Sequence, residues 1–380
     1  MKHYHYIFTG SGLSALMIVY EMVVSGKFED KTILLIDENS KKTNDRTWCF
    51  WDEDKLFDTI VFARWNFAYF KNKRFKIKLN LNPYQYKMIR GLDFYSLVFE
   101  TISKHKNIHF SVQKVLDFQE GTNHCIVKTE TESYTCDHVF NSIFNPEIVK
   151  NQNEYPFLHQ HFIGWFIKSK KATFTADCAT FMDFSVAQKG NTRFMYVLPT
   201  SKTEALIEYT LFSKDLLSAA EYENEIKNYI QKLGITEYEI IVKEQGNIPM
   251  TSYKFWKHNT KNIINIGAAG GWTKASTGYT FKNTVKKSKD LVQFLLTETD
   301  FRKFHKKDKF WFYDLLLLDI LNKKNYLGST IFSVLFKKGS PTLIFKFLDE
   351  ETSILQDLQI IWKCPKALFV RALFERIFKF

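Results

Sequence analysis

The chain has 380 residues, 45% of them hydrophobic, a length that sustains two hydrophobic cores. Its net charge of +12 comes without a helix-turn-helix, zinc-finger or RNA-binding signature, so no nucleic-acid partner is expected and an anionic membrane surface is the better match. No run of 18 uncharged apolar residues occurs, which argues against a membrane-spanning helix, while 37 Phe, 18 Tyr and 8 Trp favour an aromatic-lined pocket or contact with lipid.

Tyr4–Thr9 reads as a short buried strand, Gly10–Gly12 as a turn, and Leu13–Val24 as a helix stopped near Gly26. Thr32–Ile36 is a second apolar strand ending at Asp37-Glu38, which completes a β-α-β unit of a parallel sheet. Lys41–Trp51 is polar and then aromatic, the pattern of a loop tied down by its rings. Alternation within Phe67–Leu81 predicts strands, Gly91–Ser103 a helix, and Ile108–Phe118, Cys125–Thr129 and Tyr134–Phe140 further strands. From Gln160 to Phe212 four strand-like runs separated by turns predict an antiparallel sheet. Ala219–Leu233 is a helix, Glu239–Ile248 a strand, and Ile263–Ile266 a strand that enters a glycine-rich segment and then a long helix to about Leu296. Beyond residue 300 the chain is helical, Phe-rich and basic, with 15 Lys and Arg against 8 Asp and Glu. The expected architecture is α/β. A discontinuous Rossmann-like nucleotide domain comprises residues 1–155 and 240–300. An antiparallel substrate domain comprises 156–239 with part of 60–90, and a helical region covers 301–380.

Two glycine-rich turns carry the chemistry. Gly10-Ser11-Gly12-Leu13-Ser14-Ala15 follows a strand and opens a helix. Its first glycine makes the tight turn, its second lets backbone approach a pyrophosphate, and the small Ala15 lets helix and strand pack. Asp37 or Glu38, at the end of the next strand, would bind ribose hydroxyls. The segment Gly267–Phe281, with Gly267, Gly270, Gly271 and Gly278, would bring a second helix N-terminus to the same nucleotide; Lys274 within it faces either phosphate or solvent. In the strand Ala205–Phe212, Leu206, Glu208, Thr210 and Phe212 share one face. A carboxyl between Leu and Phe would hold its proton near neutrality and serve as a general acid, unless that face is solvated or Glu208 pairs with a lysine. Asp183 raises the same question, and Glu244 and Arg46 are further polar groups among aromatics that spacing alone does not rank. Five scattered Cys with no Cys-x-x-Cys suit reduced thiols in the cytoplasm, and ten His without ligand spacing predict no metal site.

Together these motifs resemble the lycopene cyclase family, most closely its bacterial β-cyclases. The resemblance is carried by Gly10–Ala15, Asn44-Asp45-Arg46-Thr47-Trp48-Cys49-Phe50, Met182-Asp183-Phe184, Phe194-x-Tyr196-x-Leu198-Pro199 and Ile207-Glu208-Tyr209-Thr210. It continues through Glu244-x-Gly246-x-Ile248-Pro249-Met250, Gly267-x-Ala269-Gly270-Gly271 and Ser276-Thr277-Gly278-Tyr279. Order and spacing match over roughly residues 1–300, and the last 80 match only in character. The resemblance implies a p-hydroxybenzoate hydroxylase-like flavoprotein fold and reduced FAD, with NAD(P)H as reductant, in a reaction without net redox change. It implies lycopene and γ-carotene as substrates and a peripheral position on the inner face of the cytoplasmic membrane. The acid–base role falls to Glu208, with Asp183 as the second catalytic candidate. Gly10, Gly12, Leu13, Ser14, Ala15, Asp37, Glu38, Arg46, Gly267, Ala269, Gly270, Gly271, Thr277 and Gly278 would hold the cofactor, and Trp48, Phe184, Tyr196, Thr210, Trp272 and Tyr279 the substrate. Cys49 and Arg46 depart from residues common in relatives, Ser and His respectively. The C-terminal segments Phe310–Leu321, Thr330–Lys338 and Ala367–Phe380 suit either interfacial helices or a lid. A redox flavoprotein acting on a prenyl lipid or carotenoid, and a lipid carrier on the same scaffold, are the competing readings.

Overall fold

Ile7 and Phe8 have no exposed surface because Lys2–Thr9 is an interior strand, paired in parallel with Ile33–Asp37 on one side and Ser133–Asn141 on the other. The computed structural model describes residues 1–306 and 308–378. Lys307, Lys379 and Phe380, which belong to the expected helical region, lie outside the described residues. Ile108–Val112 extends the first sheet beyond Ile33–Asp37, Cys125–Thr129 and Val115–Glu120 add antiparallel strands, and Ile263–Asn265 pairs in parallel with Ser133–Asn141. The helix Leu13–Ser25 buries Leu16, Met17, Ile18 and Val19 completely and stops at Gly26, whose left-handed backbone (φ 63°) returns its N–H to the Val23 carbonyl. It packs beside the helix Phe281–Phe294, so the two glycine-rich segments feed neighbouring helices over one sheet.

The second sheet has the order Tyr238–Met250, Leu158–Ser169, Glu204–Ser213, Thr192–Pro199, Cys178–Asp183, Phe67–Lys71, Lys76–Asn80. All neighbours are antiparallel except Cys178–Asp183 with Phe67–Lys71. Its two faces have different cover, as strand alternation requires. Ile207, Tyr209 and Leu211 pack with Tyr222, Ile226 and Ile230 of the helix Ala219–Lys232. Leu206 and Phe212 turn the other way, into a cluster with Phe194, Tyr196 and aromatics of the C-terminal helices.

Three features differ from the sequence reading. Thr47–Asp52, expected in a loop, is a strand: it pairs with Gln85–Arg90, which also pairs with Val61–Trp65. Its alternate rings have separate partners, Phe50 stacking on Phe281 at 4.6 Å and Trp51 on Phe345 at 4.6 Å. Tyr238–Met250, most of which was assigned with the nucleotide domain, pairs along its length with Leu158–Ser169 and belongs to the second sheet. Lys274 meets neither phosphate nor solvent; it is buried and ion-paired with Asp314 (3.1 Å) and Glu350 (2.9 Å), which fastens the glycine segment to the C-terminal helices.

Those helices are Lys309–Lys324, Gly328–Lys338, Pro341–Leu348, Ile354–Lys363 and Lys366–Ile377. The first three cover the second sheet: Leu315, Leu318 and Leu321 are fully buried, Phe336 stacks on Phe70 at 4.7 Å, and Phe332 meets Phe212 at 6.0 Å. Each such phenylalanine contributes about 2 kcal/mol by burial. The last two helices instead leave Leu355 (72%), Trp362 (73%) and Phe378 (84%) exposed. Among the described residues no helix is long and apolar enough to cross a membrane.

Candidate active site

The two glycine turns meet. A Cβ on Gly267 would lie 2.6 Å from Ser14 Oγ, so the second turn is pressed against the first turn of the helix Leu13–Ser25. That helix begins at Gly12 with no side-chain cap and no acidic residue in its first turn, which leaves its N–H groups and dipole available to an anion. Gly10 takes φ 92° beneath Ser142, and Ser11 N–H donates to Asp37 Oδ2 at 2.6 Å. Asp37 is also paired with Lys41 at 3.3 Å, whereas Glu38 is exposed. Gly278 has φ 74° and its Cβ would fall 2.0 Å from Gln160 Oε1, so any side chain there would strain the backbone and push Gln160 aside. Among the buried polar atoms without a hydrogen-bond partner are Ser11 Oγ, Gln160 Oε1 and Thr277 Oγ1, all at this junction. Open helix N–H groups, orphaned buried oxygens and a cradle that Cβ atoms would fill suit a dinucleotide laid across both turns.

A cavity of about 420 Å3 runs from this junction to the second sheet. Gly12, Leu13, Ser14, Arg46, Gly267, Thr277 and Gly278 line one end; Trp48, Tyr86, Phe162, Tyr196, Leu206, Glu208, Glu244 and Tyr279 line the other. Strand register explains the second set. Tyr196 pairs with Glu208, Glu208 with Gly164, and Gly164 with Glu244, one row across four strands. Glu208 is only 8% exposed and accepts a hydrogen bond from Thr210 Oγ1 at 2.5 Å. Burial, reinforced by the Glu244 carboxylate, pushes its carboxyl up to about 8 against the opposing effect of the Thr210 hydroxyl. Glu208 therefore carries a proton at neutral pH and can donate it. Burial also raises Glu244, against a 2.7 Å hydrogen bond from Thr47 Oγ1 and the nearby Arg46 charge. Tyr279 shares hydrogen bonds with Tyr86 and Tyr196, and burial pushes its hydroxyl up to about 12, so all three rings stay neutral beside Glu208.

Several expected site residues lie elsewhere. Asp183 lines no part of the cavity: it accepts from Tyr229 Oη at 2.8 Å and Ser185 N–H at 3.0 Å, and pairs with Lys71 at 3.4 Å, so its oxygens are engaged in holding strand to helix. Phe184 and Trp272 are core residues, the first among Phe70, Phe194 and Phe332, the second in the cluster of the first sheet. Thr210 is behind Glu208 and reaches the cavity only through its hydrogen bond. Gly270 packs on the Asn265 carbonyl and Gly271 on Phe255, while Ala15 and Ala269 are buried at the turns without lining the cavity. Sequence reasoning missed Gln160 and Tyr86 as lining residues and Gly164 as the register position between the two glutamates, and left Glu244 unranked. Among the described residues no cluster of His, Cys, Asp and Glu suits a metal ion.

A glycine-rich turn on a parallel sheet, joined to an antiparallel sheet across a deep cavity, is a fold this chain shares with flavoproteins. It is similar to a flavoprotein/dehydrogenase from Cytophaga hutchinsonii (TM-score 0.67, 10% identity, 98% of this chain and 100% of that one). It is also similar to a geranylgeranyl bacteriochlorophyll reductase-like protein from Thermoplasma acidophilum (TM-score 0.63, 10% identity, 99% and 100%). A third similar structure is p-nitrophenol 4-monooxygenase from Pseudomonas putida (TM-score 0.60, 11% identity, 99% and 98%). Within that class, residues 6–375 match the lycopene cyclase protein family, and the chain belongs to it. A lycopene beta-cyclase of Paracoccus sp. (strain N81106 / MBIC 01143) is 32% identical over 108 residues, a match spanning 26% of this chain and 26% of that protein.

Proposed function

We propose that this chain cyclises the acyclic ends of lycopene to β-rings, through γ-carotene to β-carotene, in an acid–base reaction that depends on FAD and leaves the substrate's oxidation state unchanged. One observation carries the reading: Glu208, its carboxyl buried and pushed upward by that burial, stands in an aromatic cavity that opens onto the junction of both glycine turns. Family membership and the flavoprotein-like fold support it. The residues fit FAD: the helix N-terminus at Gly12 and Leu13 would face the pyrophosphate, Asp37 the ribose, and Gly267, Thr277 and Gly278 the adjoining wall. When bound in reduced form, with NAD(P)H as the source of its electrons, FAD would supply an electron-rich ring system able to stabilise developing positive charge.

Lycopene has no heteroatom, so shape and apolar burial position it. Glu208 donates its proton to C2 of an acyclic end, the C5–C6 double bond closes on C1, and the charge moves to C5. Loss of the C6 proton leaves the β-ring and an isomer of the substrate. Trp48, Tyr86, Tyr196 and Tyr279 present ring faces or edges to the cavity, each face worth about 0.5–2 kcal/mol to a cation, and their bulk excludes the water that would trap it.

The substrate resides in a bilayer, and the reading places the protein on its cytoplasmic face. Leu355, Trp362 and Phe374 on the last two helices and Phe378 just after them are exposed apolar side chains, and Lys366 Nζ lies 3.2 Å from the Trp362 ring centroid, an arrangement suited to an anionic interface. Expression in bacteria that accumulate lycopene tests the function: a yellow-orange product of unchanged mass supports it, and a product changed in mass by oxygen or hydrogen points to redox chemistry instead. No product from soluble, flavin-loaded protein refutes it.

A further inference from the structure

We propose that Glu244 is the base of the reaction, the carboxylate that takes the C6 proton while Glu208 supplies the proton to C2. The inference rests on the cyclase reading and adds a residue to it. Glu208 and Glu244 lie on strands that flank Leu158–Ser169 on either side, so their backbones are about 9–10 Å apart. The residue between them in the row is Gly164. A Cβ built there would meet Leu206 Cδ1 at 2.8 Å, Glu244 Cγ at 3.2 Å and Glu208 Cβ at 3.4 Å, so Leu206 and both glutamate side chains close in over Gly164, and only a residue without a side chain lets them approach. The two carboxyl-bearing chains thus line one cavity from either side of Gly164, with Leu206 between them and also lining it.

Their surroundings differ in the sense that acid and base require. Glu208 has one hydrogen bond, from Thr210, in an apolar setting between Leu206 and Phe212 on its own strand. Burial raises Glu244 as well, but it accepts from Thr47 and has the Arg46 charge nearby, and both work against that shift and toward its ionised form. C2 and C6 of the closing ring are both bonded to C1, so one end group seated in the cavity between Glu208 and Glu244, against Leu206, can present one carbon to each carboxyl. The step balances. The C1–C2 π pair takes the Glu208 proton to form C2–H as the O–H bond breaks, C1 becomes electron-deficient, and the C5–C6 π pair becomes the C1–C6 bond. The C6–H pair then becomes the new C5–C6 double bond as Glu244 gains the proton. Return of that proton from Glu244 to Glu208 resets the site without oxidant or reductant.

The test compares the parent chain with Glu244→Gln, Glu244→Asp and Gly164→Ala, each purified with its flavin and assayed on lycopene in detergent. Glu244→Gln keeps an acceptor oxygen for Thr47 but accepts no proton, and its turnover should fall by about 10²–10⁴ with flavin content retained. Glu244→Asp restores part of the loss. Gly164→Ala, whose methyl presses on Leu206 and on both glutamate side chains and displaces them, lowers turnover about tenfold or more at unchanged flavin content. Turnover of Glu244→Gln within threefold of the parent, while Glu208→Gln is inactive, overturns the inference and leaves the cyclase reading standing. If Glu244→Gln does not fold, parental rates in both Glu244→Asp and Gly164→Ala overturn it equally. A parent that cyclises nothing overturns the functional reading and this inference with it.

Discussion

Replacing Glu208 by Gln tests the protonation on which the chemistry depends, by stability alone and without substrate. The Glu208 carboxyl is raised from an ordinary 4.5 to about 8, chiefly by burial. Between those values the folded protein holds one more proton than the unfolded chain. Its stability contribution is therefore complete below the unfolded value and is lost as pH rises toward 8, at about 1.4 kcal/mol per pH unit. At 8% exposure, solvent screening takes little from that figure. Gln resembles the protonated acid in shape and does not titrate. From pH 6 to pH 8 the parent should lose on the order of 2–3 kcal/mol relative to Glu208→Gln, because titrations common to both proteins largely cancel. Urea unfolding at pH 6, 7 and 8, read by tryptophan fluorescence, measures the difference. Parallel stability curves would mean that Glu208 is ionised throughout this range and would remove it as a neutral-pH general acid. The same variant should keep its flavin and lose cyclisation by about 10² or more.

Gly278→Ala combines a left-handed backbone with a 2.0 Å contact to Gln160, and the purified protein should carry at least tenfold less flavin, measured by absorbance; full occupancy would remove this turn from the cofactor site. Asp183→Ala strips Tyr229 and Lys71 of a buried partner and should cost about 2–4 kcal/mol of stability, with turnover per folded molecule within a few-fold of the parent; a selective loss of turnover would restore Asp183 to the reaction. Changing Leu355, Trp362 and Phe378 together to Ser should release the protein from anionic vesicles in a sedimentation assay while sparing activity on lycopene in detergent. Unchanged sedimentation would exclude this surface as the contact.

The parallel half of the fold was legible because its signals are local. A strand, a Gly-x-Gly turn and a periodic helix lie consecutively in residues 4–24, and each constrains the next. The helix Ala219–Lys232 and the strand Glu204–Ser213 carried the same clarity of period. Thr47–Asp52 was harder: Thr-Trp-Cys-Phe-Trp-Asp has no polar alternation, because the strand is covered on both sides, and only its pairing with Gln85–Arg90 settles its conformation. Tyr238–Met250 was read as a strand, but sequence order does not say which sheet it joins. Its allocation turns on non-local pairing with Leu158–Ser169.

The same distinction governs the site. Glu208 was readable because its neighbours at 206, 210 and 212 lie on its own strand and define an apolar face by alternation. Asp183 presents a similar local pattern, Phe-Met-Asp-Phe, yet Tyr229 from a distant helix occupies it, so the pattern that found one residue misplaced the other. Glu244 carried no such local sign; its strand is largely exposed, and its neighbours Lys243, Gln245 and Asn247 are as polar as it is. What singles it out is register. Glu208 and Glu244 are both opposite Gly164, and a shift of one residue in either pairing would turn one carboxylate to the far side of the sheet. Gly164 has the same property: in sequence it is one glycine within an apolar strand, and its consequence appears only when two other strands are laid beside it. A site written along one strand can be read from sequence, whereas a site written across strands needs the sheet.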